Sequence, residues 1–239
     1  MRLNFNKCIN LTINRKQSSI RFSDGSPVPR KHHAKYLGTL LTDSVDNGAE
    51  VTSRINDVLG TCAKTKSFWN KAQTTVKWKL RVYDSVIKSK LLYGLETIQL
   101  TGNEQSRLDA FQMKGYRRIL GIPPTHIDRS WTNENVLREL VHEHNFKYTS
   151  FSDTWQKRKV TLLGHIIRSH RYDPLRQVLF EKSTLIPRIE LTRRVGRPKG
   201  NWLVETYKDA WALCHLTEAF DFANPTHRNK INNAAETRS

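Results

Sequence analysis

Histidines and carboxylates are the side chains that could hold a metal ion or move protons, and in this chain they are scattered. His142 and His144 flank Glu143, but positions two apart lie on different faces of a helix, which disfavours a shared metal ion. No carboxylate pair has the spacing of two-metal or acid–base chemistry; those considered are Asp84, Glu96, Asp109 and Asp128. Nucleophile elbows, phosphate-binding loops and paired zinc-ligand spacings are also absent. The sequence therefore predicts no catalytic residue and no metal site.

Positive charge is the chemistry that the sequence does carry. The 239 residues include 40 Lys and Arg against 22 Asp and Glu, a net charge of +18, which favours a polyanionic partner. Residues 147–199 alone hold thirteen Lys and Arg against four Asp and Glu, a net +9. No run approaches the ~18 apolar residues of a membrane-spanning helix, and the cations are spread along the chain. We therefore expect RNA, DNA or an RNA/DNA hybrid as the partner, and neither a membrane nor a small-molecule substrate.

The cysteines and the N-terminal residues indicate the compartment. Cys8, Cys62 and Cys214 are far apart and suggest neither a disulfide framework nor a zinc site. The N-terminal residues lack the apolar core of a signal peptide. We expect an intracellular protein, nuclear or cytoplasmic, that is not secreted.

Residues 77–122 have the strongest periodic pattern in the chain. Apolar residues recur at steps of three and four in two segments: Leu80, Tyr83, Ile87, Leu91, Gly94 and Ile98, then Leu108, Phe111, Gly115, Ile119 and Ile122. Thr101-Gly102-Asn103 separates the segments, with Asn103 as the expected N-cap before Glu104. Lysines and arginines lie mostly off both stripes. The pattern predicts a helical hairpin, apolar inside and basic outside, although a basic helical face is as often an ordinary solvated surface.

The rest of the chain predicts a mainly α fold with a small N-terminal antiparallel β-unit, an α+β class. Strands are expected at 9–15, 18–22 and 34–41, with a turn at 23–27. Two or three strands are marginal in water, so this unit needs a covering surface. Further helices are predicted at 46–72, 134–143, 153–169, 174–180 and 203–216, and a polar, fraying tail follows Asn224-Pro225. Composition suggests four segments: 1–46, 47–128, 129–185 and 186–239.

Two further features favour nucleic acid, each with a structural alternative. The run Arg193-Arg194-Val195-Gly196-Arg197-Pro198-Lys199 is narrow and basic and could lay an arginine into a groove, or could be a solvated linker. Aromatic residues interleave with the cations and could stack on bases, although core packing is the commoner role; they are Trp69, Trp78, Tyr116, Trp131, Trp155 and Trp202.

Several of these stretches, in order, resemble one family, the reverse transcriptases of non-LTR (LINE-type) retrotransposons, in the part after the catalytic palm motif. Leu3-Asn4-Phe5-Asn6-Lys7-Cys8 resembles an L-N-x-x-K-T segment with Cys8 in place of threonine, and Tyr36-Leu37-Gly38 matches a Y-L-G turn. Residues 79–97 and 108–122 resemble the thumb signature. Leu163-Gly164-His165-Ile166-Ile167-Arg168 resembles an L-G-H segment, and Gly196-Arg197-Pro198-Lys199 with Trp202 a G-R-P run. The match is collinear over about residues 3–211.

The resemblance implies a role for each matching residue. Lys7 would lie near the phosphates of the incoming nucleotide, and Tyr36, Leu37 and Gly38 would form the primer grip. The hairpin would be a thumb-like helical bundle that follows the duplex backbone with Lys77, Lys79, Arg81, Lys88, Lys90, Lys114, Arg117 and Arg118. Later contacts would come from His165, Arg168, Arg193, Arg194, Arg197 and Lys199.

The catalytic aspartates of this family lie before the segment that matches Leu3–Cys8, and no Asp-Asp occurs in this chain. Phosphoryl transfer needs metal ions held by such carboxylates. We therefore expect the C-terminal fragment of an RNA-directed DNA polymerase that binds template-primer but is not catalytic alone. Mg²⁺ would be needed only with an upstream catalytic palm. The alternatives are a free-standing nucleic-acid-binding protein derived from a retroelement and a non-functional remnant.

Overall fold

The computed structural model describes residues 4–13, 19–44, 47–181, 184–188, 200–214 and 218–237. Over these residues the chain is mainly helical, with one two-stranded antiparallel sheet near the N-terminus, which confirms the predicted α+β class. The chain divides into two compact units. We call Met1–Leu91 with Lys114–Arg129 unit 1, and Leu92–Met113 with Ser130–Ser239 unit 2. None of the described helices is long and apolar enough to cross a membrane.

The sheet of unit 1 is a single tight hairpin. Strand β1 (His33–Tyr36) pairs with β2 (Thr39–Thr42), with Tyr36 opposite Thr39. Leu37 and Gly38 form the two-residue turn, with φ of 47° and 85°, the positive values that a type I′ turn requires at both positions. The single strand predicted at 34–41 is therefore wrong. The residue pattern of this stretch favours an extended chain in both strands of the hairpin, and it does not show where the chain reverses. Among described residues, 9–13 and 19–22 form only isolated bridges, at Asn10 and Arg21.

Unit 1 continues with α1 (Asn47–Lys64), α2 (Lys66–Lys71) and α3 (Val76–Val82). A π-helical turn (Tyr83–Lys88) then leads into α4 (Ser89–Leu92). The helix predicted at 46–72 is interrupted at Thr65. The helix predicted to reach Ile98 ends at Leu92 instead, because Gly94 adopts a left-handed conformation with φ of 75°.

Helix α5 (Gly102–Leu120) begins with a capping box. Thr101 N–H donates to Glu104 Oε2 at 2.6 Å, and Glu104 N–H donates to Thr101 Oγ1 at 3.4 Å. The N-cap is thus Thr101, and the prediction of Asn103 is wrong by two positions. The helix ends at Leu120. Gly121 follows it with a φ of 72°, and Ile122 N–H donates to Arg117 O at 2.9 Å.

Unit 2 contains α6 (Asn133–His142), α7 (Phe151–Arg168), α8 (Pro174–Leu179), α9 (Trp202–Leu213) and α10 (Pro225–Glu236). One apolar cluster joins α7, α9 and α10; it includes Leu163, Ile167, Phe180, Tyr207, Trp211 and Ile231. The fraying tail predicted after Pro225 is wrong. Asn224 caps α10, and the hydroxyl of Tyr207 donates to Asn232 Oδ1 at 2.6 Å. The buried residues of α10 are Ile231 and Asn232, so the helix leaves little apolar pattern in the sequence.

Candidate nucleic-acid interface

The positive charge is concentrated in unit 1. Its sequence has twenty-one Lys and Arg against seven Asp and Glu, a net +14 of the chain's +18. Unit 2 has nineteen against fifteen, a net +4, because the stretches 92–113, 130–146 and 200–239 are each net negative and offset the basic stretch 147–199. Unit 1 is therefore the stronger candidate for contact with a polyanion.

The turn of the hairpin presents two large apolar side chains to solvent. Tyr36 is 64% exposed and Leu37 is 75% exposed. Below the turn, a buried carboxylate ties the hairpin to α1. Glu50 Oε2 accepts from Leu40 N–H at 2.6 Å, and Glu50 Oε1 pairs with Arg54 Nε at 2.7 Å. Because Arg54 also donates to Thr39 Oγ1 at 3.2 Å, both polar anchors hold the strand that follows the turn.

The cations predicted on the basic face differ in their surroundings. Arg81, Lys90, Lys114 and Arg118 are exposed, whereas Lys77, Lys79 and Lys88 are half-buried and Arg117 is buried. The face predicted from the helical pattern is therefore not uniform.

Four of these cations make contacts within unit 1. Arg117 donates to Pro123 O at 2.9 Å and to Thr125 Oγ1 at 3.0 Å, which fixes the loop after α5. Lys79 Nζ donates to Trp69 O at 3.0 Å, and Lys88 lies 3.6 Å from Asp84. Lys90 Nζ donates to Thr61 Oγ1 at 2.6 Å. Arg117 is thus a structural residue of the loop, and we leave it out of the proposed interface.

Two exposed cations converge beside the C-terminal half of α1. Burial raises the pKa of the Cys62 thiol, and the charges of Arg118 and Lys90 act on the same pKa in the opposite direction. Because the charges of Lys90 and Arg118 both act on the Cys62 thiol, α4 and α5 bring these two cations to the same part of α1.

Asp84 lies in the π-helical turn and is held between a cation and a phenol. Tyr116 Oη donates to Asp84 Oδ1 at 3.3 Å, and Lys88 pairs with the other oxygen. Burial raises the pKa of the Asp84 carboxyl, with Lys88 and the Tyr116 hydrogen bond opposing the shift. The group braces the packing of α5 residues 114–120 and offers no second carboxylate for metal chemistry.

The remaining predicted site residues lie at separate places. Lys7 is exposed at the end of a short 3₁₀ helix, Phe5–Lys7. His165 and Arg168 are exposed on α7 in unit 2, where Arg168 donates to Ala235 O at 2.8 Å. The cations of the G-R-P run lie outside the described residues: Arg193, Arg194, Arg197 and Lys199.

Most of the tryptophans serve the core, as the commoner reading of the sequence expected. Trp69 and Trp155 are buried, and Trp155 Nε1 donates to Leu95 O at 2.8 Å. Trp202 is half-buried and donates to Glu96 O at 2.8 Å. Trp78 is 51% exposed, and Trp131 is half-buried beside a cavity.

Two buried ion pairs were missed at the sequence level. Lys159 is fully buried on α7, pairs with Asp209 and donates to Gln99 Oε1 at 3.0 Å. Its partner lies fifty residues away, so no local pattern signals the contact. The Glu50–Arg54 pair has the i, i+4 spacing of a helical ion pair, which was a usable signal.

Among the described residues, no group of three or more His, Cys, Asp and Glu side chains could hold a metal ion. No protein-family model, curated protein or solved structure matches the chain.

Proposed function

We propose that this chain binds RNA, DNA or an RNA/DNA hybrid through the basic surface of unit 1, as the C-terminal part of a non-LTR retrotransposon reverse transcriptase. The observation that carries the proposal is the net +14 of unit 1. A single-sign excess of this size exceeds what solubility requires and matches the phosphate backbone of a nucleic acid.

The geometry of unit 1 supports backbone contact. Arg81, Lys90, Lys114 and Arg118 stand exposed on the helices that the resemblance assigns to a thumb. Contacts from such side chains to phosphates position a duplex without reading its sequence. We therefore propose binding that depends strongly on salt and weakly on sequence.

The Tyr36-Leu37-Gly38 turn supports a primer-grip role. A type I′ turn with its two apolar side chains in solvent is unusual for a monomer, since Leu37 gains no burial in exchange for its positive φ. Contact with a primer terminus would account for both features.

Catalysis is not proposed for this chain alone. A polymerase active site would require an upstream palm whose aspartates hold Mg²⁺. A free-standing binding protein and a non-functional remnant of a retroelement remain the rival proposals. The transcript immediately before Met1 separates them: an in-frame palm favours the polymerase, an untranslated leader the free-standing protein, and in-frame stop codons the remnant.

A salt titration with a duplex or hybrid tests the binding proposal. If about six phosphates are contacted, log K should fall against log salt with a slope of roughly −0.9 per phosphate. The variant Arg81→Glu/Lys114→Glu/Arg118→Glu should bind weakly and show a shallower slope. A matched control, Lys147→Glu/Arg171→Glu/Lys208→Glu, makes the same charge change at exposed residues of unit 2 and should have the smaller effect. A flat titration would contradict the proposal.

A further inference from the structure

A cavity of about 540 Å³ lies beside α6 in unit 2. One face of the helix lines it with Asn135, Arg138, Glu139 and His142, at the i, i+3, i+4 and i+7 positions. The loop residues before the helix, Ser130 and Trp131, form the opposite wall. All residues that line the cavity belong to unit 2, and the proposed function does not use them.

The cavity is held open by local contacts. Thr132 Oγ1 accepts from Asn135 N–H at 3.2 Å and caps the helix, while Asn135 Nδ2 donates to Ser130 O at 2.6 Å and ties the loop to it. On the other face of α6, Val136 and Leu140 are fully buried and anchor the helix in the core. The wall that carries Trp131 is therefore positioned before any ligand arrives.

The lining carries an aromatic surface and both kinds of hydrogen-bonding group. Trp131 is half-buried and lines the cavity with an indole on which a ring can stack. Arg138 is exposed and offers donors, and Glu139, whose Oε1 lies 3.9 Å from His144 Nε2, offers acceptors. Glu143 also lines the cavity, so its lining holds one arginine and two carboxylates. In a chain of net charge +18, the charges of the arginine and carboxylates of this lining sum to −1. It is consequently a poor site for a phosphate and a suitable one for an uncharged, hydrogen-bonding ring.

Guanine presents two edges that match this set of groups. Its O6 and N7 accept from arginine, and its N1–H and N2–H groups donate to a carboxylate. Bases that have left a stack are commonly bound between an aromatic side chain and polar groups that read their edges.

We propose that the Trp131 cavity holds one unstacked guanine of a single-stranded segment, stacked on the indole and bonded by Arg138 and Glu139. The proposal rests on the proposed nucleic-acid binding and adds a base-reading site to it. Contacts elsewhere on the chain hold the phosphates, and this cavity distinguishes the base.

A set of short oligouridine strands that differ at one central nucleotide tests the proposal. The central position carries guanosine, inosine, adenosine or an abasic ribose, and affinity is measured by fluorescence anisotropy at a fixed salt concentration. The guanosine strand should bind about tenfold more tightly than the abasic strand, the size expected for one stacked and bonded base. Inosine lacks the N2 amino group and should lie between the two. The guanosine-to-abasic ratio should change little with salt, because both strands carry the same phosphates.

Variants locate the effect. Trp131→Ala should reduce the guanosine-to-abasic ratio to about one, Trp131→Phe should keep part of it, and Glu139→Gln should remove the preference for guanosine over adenosine. Two controls should leave the guanosine-to-abasic ratio unchanged. Trp78→Ala removes an exposed indole of unit 1, and Glu134→Gln makes the charge change of Glu139→Gln at an exposed position of α6.

The outcomes separate this inference from the proposed function. Equal binding of guanosine and abasic strands overturns the guanine site and leaves the phosphate binding in place. Failure of every strand and duplex to bind overturns the proposed function. Thermal unfolding checks that each variant folds. If Trp131→Ala does not fold, Glu139→Gln tests the proposal instead: loss of the preference for guanosine over adenosine supports the site, and persistence of that preference overturns it.

Discussion

The phenol of Tyr83 occupies the space that a Cβ atom on residue 115 would need. An ideal Cβ placed on Gly115 would overlap the Oη, Cζ and Cε2 atoms of Tyr83, which is itself only 3% exposed. The ring also packs against Trp69 and Tyr116, with centroid distances of 6.2 and 5.5 Å. The absence of a side chain at residue 115 is therefore what lets α5 lie against the π-helical turn.

Gly115→Ala should destabilise the protein by about 1–3 kcal/mol. Alanine gains about 1 kcal/mol of helix propensity, but overpacking against a buried, rigid ring outweighs that gain. Gly60→Ala is the matched control, since Gly60 is exposed on α1 with open space around it, and it should stabilise by about 0.5–1 kcal/mol. Urea unfolding measures both, and a stabilised Gly115→Ala variant would contradict the packing described above.

Arg117 and Arg118 are neighbours in sequence, but we expect substitution of Arg117 to lower stability and substitution of Arg118 to weaken binding. Arg117→Met removes a buried guanidinium, so that Pro123 O and Thr125 Oγ1 lose their hydrogen bonds from it. The variant should lower the free energy of unfolding by about 1–3 kcal/mol. Arg118→Met changes an exposed residue and should shift stability by less than about 0.5 kcal/mol while weakening duplex binding. Unfolding and binding measured on the same preparations check the contrast. Equal effects on stability would refute the assignment.

The Lys159–Asp209 pair should show an asymmetric response. Asp209→Asn leaves a fully buried ammonium without its counter-charge and should cost about 3–5 kcal/mol. Lys159→Met should cost less, because the Asp209 side chain is 21% exposed and keeps its hydrogen bond from Gln156. The double variant should recover part of the loss, and strictly additive losses in denaturant unfolding would show that the two charges are not coupled.

Leu37→Asn should stabilise the hairpin by about 1 kcal/mol. Asparagine tolerates a positive φ and Asn-Gly is the favoured pair for a type I′ turn, while a leucine that is 75% exposed gives up little burial. If the turn contacts a primer, the same variant should bind template-primer more weakly. Leu41→Asn, on a strand, should instead lower thermal stability. A destabilised Leu37→Asn variant would mean that the leucine makes contacts that stabilise the turn.

Asn232→Ala should destabilise unit 2 by about 1–3 kcal/mol, because the buried hydroxyl of Tyr207 loses its acceptor. Asn233→Ala, at an exposed position of the same helix, should change stability by less than about 0.5 kcal/mol. Hydrogen exchange should show protected amides near Ile231. Rapid exchange throughout α10 would indicate that the helix does not dock.

Local patterns in the sequence were enough to determine the fold class and most helices. Apolar residues at steps of three and four predicted α6, α7 and α9 to within a few residues, and Asp173-Pro174 predicted the start of α8. These features depend on neighbours along the chain, such as caps, periodicity and proline. The sequence also determined the net charge, and with it the expectation of a polyanionic partner.

The tertiary structure alone decided which of the cations are exposed and which are buried. Arg117 was predicted on the basic face, yet it is buried and donates to Pro123 O in the loop after α5. Lys159, which no sequence pattern singled out, is buried against Asp209 of α9. Residues 1–91 already carry a net +11 in the sequence, and residues 114–129, which join them in unit 1, add +3. The Lys159–Asp209 contact joins residues fifty positions apart, and no pattern within one segment of the sequence records such a partner.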